Sequence, residues 1–244
     1  MNTPFLSIII PAYNEEHRLP ATLEQAFSFI QEQSYEAEVL VVENGSDDGT
    51  YNVASLYAAE HDNFYALHVP ERGKGLAVRR GMLEARGLYR FMCDADLSMP
   101  ITEINRFLPP ELQDFDVAIG SREAHGATRY DEPAYRHYGG RAINLMIRKL
   151  ILPGLHDTQC GFKCFRNYAA NELFQFTTMD GWSFDIEVLY IARLREYQIV
   201  ELPIPWYFNP ESKLNVVQDA FQMGIDIIKM KRNARNGIYE HGIP

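Results

Sequence analysis

Tyr89-Arg90-Phe91-Met92-Cys93-Asp94-Ala95-Asp96 is a short, mostly apolar run that ends in two carboxylates at i and i+2. Such a run predicts a buried strand, which leaves Asp94 and Asp96 at its carboxyl end. Hard oxygen ligands so placed suit Mg²⁺ or Mn²⁺, ions that keep coordination positions open for substrate phosphates. A solvated turn is the competing reading of the pair taken alone. The apolar run before it favours a place at the mouth of a sheet.

Upstream, the same alternation repeats. Leu6 to Ile10 predicts a strand stopped by Pro11, and Leu19, Leu23, Ala26, Phe27 and Ile30 recur at helical spacing. Glu38 to Val42 predicts a second strand, followed by the turn-rich stretch Glu43 to Gly49. A helix over Asn52 to Glu60, a strand around Tyr65 to Val69 and a helix from about Leu76 to Ala85 lead back to Tyr89. Strands alternating with helices imply right-handed βαβ units and a mostly parallel sheet, whose ligands bind outside the carboxyl ends of the strands. Three loops meet there: 11–16, 43–49 and 94–100.

The second half is less regular. Asp116 to Gly120 predicts a strand and 121–132 a polar loop. Helices follow over Ala134 to Leu150 and Phe184 to Glu196, with room for a strand between Thr158 and Phe165. Pro203, Pro205 and Pro210 break the chain before a last helix from Leu214 to about Arg232. At ~100° per residue, Leu214, Val217, Phe221, Ile225 and Ile228 form one apolar stripe. Val216, Ala220, Met223, Ile227 and Met230 form another on nearly the opposite side. One stripe packing inward leaves the other for a partner or a membrane, and Lys229, Lys231, Arg232 and Arg235 beside it suit an anionic lipid surface. Burial of both stripes, in the domain or a dimer, is the competing reading.

Composition narrows the class. The 33 acidic residues against 23 Lys plus Arg give a net charge of −10, which argues against a nucleic-acid binder built on phosphate contacts. At 46% hydrophobic the chain has material for a packed core, so disorder is excluded. Three cysteines form no disulfide framework, and neither a basic signal-peptide region nor an apolar run of ~18–20 residues is present. The expectation is a cytoplasmic protein. His156, Cys160 and Cys164 at four-residue spacing lack a fourth ligand, so buried free cysteines are the better reading than zinc. No GxSxG or HExxH motif supports a hydrolase. Arg72-Gly73-Lys74-Gly75, at the start of a helix, could cradle a phosphate through its glycines and Lys74, although a basic turn reads the same way.

Taken in order, Ile10-Pro11-Ala12-Tyr13-Asn14-Glu15, Val41 to Thr50, Gly73-Lys74-Gly75 and Asp94-Ala95-Asp96 resemble glycosyltransferase family 2. Asp157-Thr158-Gln159-Cys160-Gly161-Phe162-Lys163 and Ser212-Lys213-Leu214-Asn215 look like dolichyl-phosphate β-glucosyltransferases, and the dolichyl-phosphate mannose synthases are similar. The resemblance runs from about Leu6 to Arg232. It implies the α/β GT-A fold, a Rossmann-like, mostly parallel sheet flanked by helices. A catalytic domain over 1–210 would be followed by an amphipathic helix and tail over 211–244.

The resemblance further implies inverting transfer of a hexose, glucose from UDP-glucose, to a polyprenyl or dolichyl phosphate. Pro11, Tyr13, Glu15 and Lys74 would bind the donor, and Glu43, where the family usually has Asp, would accept from uracil N3. Asp94 and Asp96 would hold Mg²⁺ or Mn²⁺ and the donor diphosphate or ribose. Arg122, Arg136 and Lys213 match residues on the acceptor phosphate, while Gly140 replaces a serine one turn after Arg136. Such an acceptor is already anionic and needs positioning rather than a base. Asp185 or Glu187 would be the base for a soluble or protein-bound hydroxyl acceptor, or else anchors a helix N-terminus. A nucleotide-sugar-binding protein without catalysis is a further alternative, suggested by Glu43-Asn44. Related enzymes carry membrane helices that this sequence lacks, so the expected association is peripheral, at the inner face of the membrane. A homo-oligomer stays open.

Overall fold

The computed structural model describes residues 3–209 and 216–241. Its first half follows the alternation: β1 (Leu6–Ala12), α1 (Leu19–Gln31), β2 (Ala37–Asn44), α2 (Thr50–Glu60), β3 (Phe64–Val69), α3 (Lys74–Glu84) and β4 (Tyr89–Cys93). A 3₁₀ segment (Ile101–Phe107) leads to β5 (Val117–Ser121), β6 (Thr128–Tyr130), α4 (Ala134–Leu150), β7 (Phe162–Arg166), α5 (Asn167–Gln175), α6 (Phe184–Leu194), β8 (Ile199–Pro203), β9 (Pro205–Tyr207) and α7 (Val216–Arg235).

Seven strands form one sheet in the order β3-β2-β1-β4-β7-β5-β8. All pairings are parallel except those of β7, which runs antiparallel between β4 and β5. Both faces of β1 are covered, which explains its unbroken apolar run: Ile9 packs with α3 and α6, and Ile8 and Ile10 pack with α1 and the 3₁₀ segment. Because β2, β1 and β4 are adjacent and parallel, their carboxyl ends bring Glu43, Ala12 and Asp94 to one rim.

The second half departs from expectation in three places. Within the polar loop, β6 pairs in parallel with β9, and Tyr130 stacks on Tyr207 at 4.6 Å. Of the prolines expected to break the chain, Pro203 ends β8 and Pro205 opens β9, while Pro210 lies outside the described residues. Pro203 is tolerated because β8 is an edge strand, where a missing N–H breaks no ladder. Helix α5 buries Ala169, Ala170, Leu173 and Phe174 but has only nine residues, too few for a clear helical period.

Cys93, Cys160 and Cys164 are free and buried, and burial pushes the Cys160 thiol up to about 12. In α7, Met223, Ile227 and Met230 are buried in the core that α3, α5 and α6 share. Phe221, Ile225 and Ile228 are 74%, 47% and 71% exposed. Lys213 and the side chain of Arg136 lie outside the described residues, as does the expected boundary at 210/211.

Candidate active site

The loops after β1 and β2 are laced together at the rim. Asn14 takes a left-handed backbone (φ 51°), so its N–H donates to Ser46 Oγ (3.0 Å) and its side-chain oxygen accepts from the Asp47 N–H (2.9 Å). The Glu15 N–H donates to Thr50 Oγ1, and Glu16 accepts from the Gly49 N–H. Pro11 is buried opposite Val42, Glu15 reaches Arg18 at 3.4 Å, and the Arg72 guanidinium lies 4.4 Å from the centre of the Tyr13 ring. This leaves an aromatic, cation-capped ledge above β1.

Glu43 is buried. One of its oxygens accepts from the Ser46 N–H (2.5 Å) and the other lies 2.5 Å from His68 Nδ1 on β3. Its carboxylate therefore fixes the turn after β2. Asn44 is oriented so that its nitrogen donates to the Ala12 carbonyl (3.1 Å) and its oxygen accepts from the Gly73 N–H (3.0 Å).

The glycines at the start of α3 have a packing cause. A Cβ on Gly73 would lie 2.5 Å from the Asp180 carbonyl oxygen, and one on Gly75 would lie 2.3 Å from that of Met179. The Asp180 carbonyl also accepts from the Gly75 N–H (2.8 Å). Protein oxygens thus engage the backbone donors that the sequence reading offered to a phosphate. The side chain of Lys74 remains directed at the rim. Its Nζ stands 2.6 Å from Asp94 Oδ1 and 5.0 Å from the centre of the Trp182 ring.

Asp94 rests on Gly161, where a Cβ would lie 1.8 Å from Asp94 Oδ2. The Asp94 N–H donates to the Gly161 carbonyl, and Asp96 accepts from the Ser98 N–H (3.0 Å) after a left-handed Leu97. Beneath this pair lies a buried one: Lys163 Nζ donates to Asp185 (2.5 Å) and to the Cys160 carbonyl. Burial works against the Lys74 charge, yet Asp94, Asp185 and Asp96 outweigh it and raise its pKa. Burial likewise raises the pKa of Asp185, against the pull of Lys163 and Lys74. Glu187 is fully buried and accepts from the Thr178 and Met179 N–H groups and from the Thr178 and Tyr239 hydroxyls, all at 2.6–2.8 Å. It fixes the 178–180 loop on which α3 rests.

Arg122 lies beyond β5. Its Nε and Nη2 donate to Asp157 at 2.6 and 2.9 Å, so the buried Asp157 engages two of its five donors. Burial raises the Asp157 pKa, but Arg122 overcomes this and brings the carboxyl down to about 2. Trp206 lies under the guanidinia of both Arg122 and Arg129, at 5.6 and 5.7 Å.

The structure therefore brings Tyr13, Glu15, Glu43, Lys74, Asp94 and Asp96 to one rim, with Asp185 directly below. Four side chains that hold this arrangement had no role assigned to them from the sequence: His68, Asp157 as the partner of Arg122, Lys163 and Trp182. Lys163 had a visible signal, since a lysine inside Phe162-Lys163-Cys164-Phe165 must find a buried counter-charge.

Known proteins share this fold. The model of the family "Glycosyl transferase family 2" matches residues 7–174. A dolichyl-phosphate beta-glucosyltransferase of Drosophila melanogaster is 35% identical, over 91% of this chain and 73% of its own length. That of Homo sapiens is 32% identical, over 97% and 78%. Among solved structures, glucosyl-3-phosphoglycerate synthase from Mycobacterium tuberculosis in complex with Mn²⁺ and UDP-glucose shares the fold. It superimposes with a TM-score of 0.63 at 16% identity, covering 99% of this chain and 80% of that one. A GT-A sheet with its acidic pair at the rim, matched by a family model over most of its length, places the chain in glycosyltransferase family 2.

Proposed function

We propose that the chain transfers glucose from UDP-glucose, with inversion, to a polyprenyl phosphate of the dolichyl type. The observation that carries this reading is the state of the two carboxylates available as a base. Asp185 is buried against Lys163, and Glu187 is buried with four donors on its oxygens. A hydroxyl acceptor must lose a proton as it attacks, whereas a phosphate monoester is already an anionic nucleophile at pH 7. A phosphate oxygen forms the bond to the anomeric carbon, the bond to the donor diphosphate breaks, and UDP leaves with no proton to remove. The relatives named above support the same donor sugar and acceptor class.

Within this reading, the Tyr13 ledge and the turn fixed by Glu43 hold the nucleoside, and Pro11 and Glu15 shape the loop beside it. Lys74 faces the leaving diphosphate. Arg122, Arg136 and Lys213 hold the acceptor phosphate, in keeping with the strength of charge-assisted contacts to phosphate oxygens. Asp94 and Asp96 fit Mg²⁺ or Mn²⁺. Both are hard oxygen donors at the rim, Asp94 already faces the Lys74 ammonium, and no cluster of three or more ligating side chains forms among the described residues. An ion held by one or two carboxylates and substrate phosphates matches that donor set. Such an ion, when bound, supplies positive charge to the leaving diphosphate.

Among the described residues no helix is long and apolar enough to cross a membrane. The proposed route to a lipid acceptor is peripheral, through the exposed stripe of α7. Assay of UDP-glucose with polyprenyl phosphate, polyprenol and soluble glycosides tests the reading. The expected result is glucosyl transfer to the phosphate alone, abolished by EDTA and restored by Mg²⁺ or Mn²⁺. Transfer to the hydroxyl acceptors without transfer to the phosphate overturns it.

A further inference from the structure

A cavity of about 260 Å³ lies between the 178–183 loop and α7. Trp182, Ser183, Gln222, Met223 and Asp226 line it. The Gln222 amide donates to Asp226 (3.0 Å), and Ser183 Oγ donates to the other Asp226 oxygen (2.5 Å), so α6 and α7 share one polar network along the wall. The cavity borders the rim on two sides. Lys74 Nζ contacts both Asp94 and the Trp182 ring, and Gln159, two residues from the Gly161 that supports Asp94, reaches Met223 with its amide nitrogen (3.4 Å).

We propose that this cavity is the subsite for the donor's hexose, with Trp182 as the face against the sugar ring and Gln222, Asp226 and Ser183 as partners of its hydroxyls. The inference rests on the reading that the donor diphosphate sits at Asp94 and Lys74, and it deepens that reading. The sugar is bonded directly to the distal phosphate. With that phosphate facing the Lys74 ammonium, the sugar falls on the side where the same ammonium meets Trp182. The volume lies just below the ~300–1,000 Å³ of pockets for drug-sized ligands and suits a monosaccharide. The lining agrees in chemistry. An aromatic face accepts the apolar C–H side of a pyranose, and a carboxylate, an amide and a hydroxyl donate to or accept from its ring of hydroxyls. A second phosphate would meet two carboxylates, Asp180 and Asp226, against the one ammonium of Lys229, and an isoprenoid chain would leave the Asp226 carboxylate without water.

Trp182 and Gln222 are both exposed, so Trp182→Ala and Gln222→Ala do not open the core. Calorimetric titration of the full chain with UDP and with UDP-glucose, without acceptor, separates the nucleotide from the sugar. In both variants UDP affinity stays within about twofold of wild type, and UDP-glucose affinity falls roughly five- to tenfold, the loss of one contact. A parallel loss for UDP and UDP-glucose overturns the proposal, because the residues then serve the nucleotide or the fold. Unchanged binding of both, with a raised KM for polyprenyl phosphate, assigns the cavity to the lipid and overturns it too. A wild type that binds UDP but not UDP-glucose refutes instead the donor assignment on which the inference rests.

Discussion

Gly161 and Asp157 show how single residues hold the charges of the site. A Cβ on Gly161 would lie 1.8 Å from Asp94 Oδ2, so Gly161→Ala must displace the carboxylate that faces Lys74. Displacement of a reacting group by about 1 Å costs on the order of 100-fold in rate. The expected outcome is a fall of that order in kcat/KM with the melting temperature nearly unchanged; full activity would show that Asp94 has no fixed role. Asp157 acts through Arg122. With its folded pKa near 2, below the unfolded carboxylate value, its contribution to stability is complete above about pH 4 and is lost as the pH falls toward 2. The contribution is roughly 2 kcal/mol. Denaturant unfolding of wild type and Asp157→Asn from pH 7 to 2 should show the gap between them closing over that window. A gap independent of pH would mean that the lost contact is not an ionic one.

At the scale of elements, α7 settles an ambiguity that helical periodicity leaves open. Both of its stripes are apolar and nearly opposed, so the angle per residue cannot say which faces the core. The structure buries Met223, Ile227 and Met230, two of them methionines, which suit an irregular gap between helices, and exposes Phe221, Ile225 and Ile228. Ile227 and Met230, which the sequence alone would equally offer to lipid, are core residues. Ile227→Asp places an unpaired charge in the core and should cost about 3 kcal/mol or more, read as a lower denaturation midpoint. Phe221→Asp with Ile228→Asp should leave that midpoint unchanged and abolish binding to anionic vesicles; retained binding would exclude this face as the docking surface. The first seven elements were legible because β1, β2 and β4 are short buried apolar runs bounded by turns and α1 carries a helical period. The insertion of β7 between β4 and β5 was not, because strand order is a tertiary choice with no local trace. The site divides in the same way. Asp94, Asp96 and Lys74 were visible from their places at element ends, while Trp182 and Asp157 join the candidate site only through partners 108 and 35 residues away in sequence.

At the scale of the whole molecule, charge and shape set how the chain would meet a lipid acceptor. A net charge of −10 is repelled by an anionic bilayer. The last two turns of α7 oppose this locally, with Lys229, Arg232 and Arg235 exposed and Lys231 half-buried beside the exposed stripe. Gln222 and Asp226 of the same helix line the cavity next to the rim, so in the proposed peripheral mode docking through α7 would hold the site close to a lipid acceptor. Each cation near such a surface is worth ~1 kcal/mol, an effect that fades beyond a Debye length. Arg232→Gln with Arg235→Gln, neither of which lines the cavity, should therefore weaken binding to phosphatidylserine-containing vesicles by ~2 kcal/mol, roughly 30-fold. Binding to neutral vesicles and turnover of a short, water-soluble polyprenyl phosphate should be unaffected. Co-sedimentation over a salt series checks both parts, since the wild-type advantage should shrink as salt rises. An equal loss on neutral vesicles would mean that the basic residues hold the helix in place rather than the helix on the membrane.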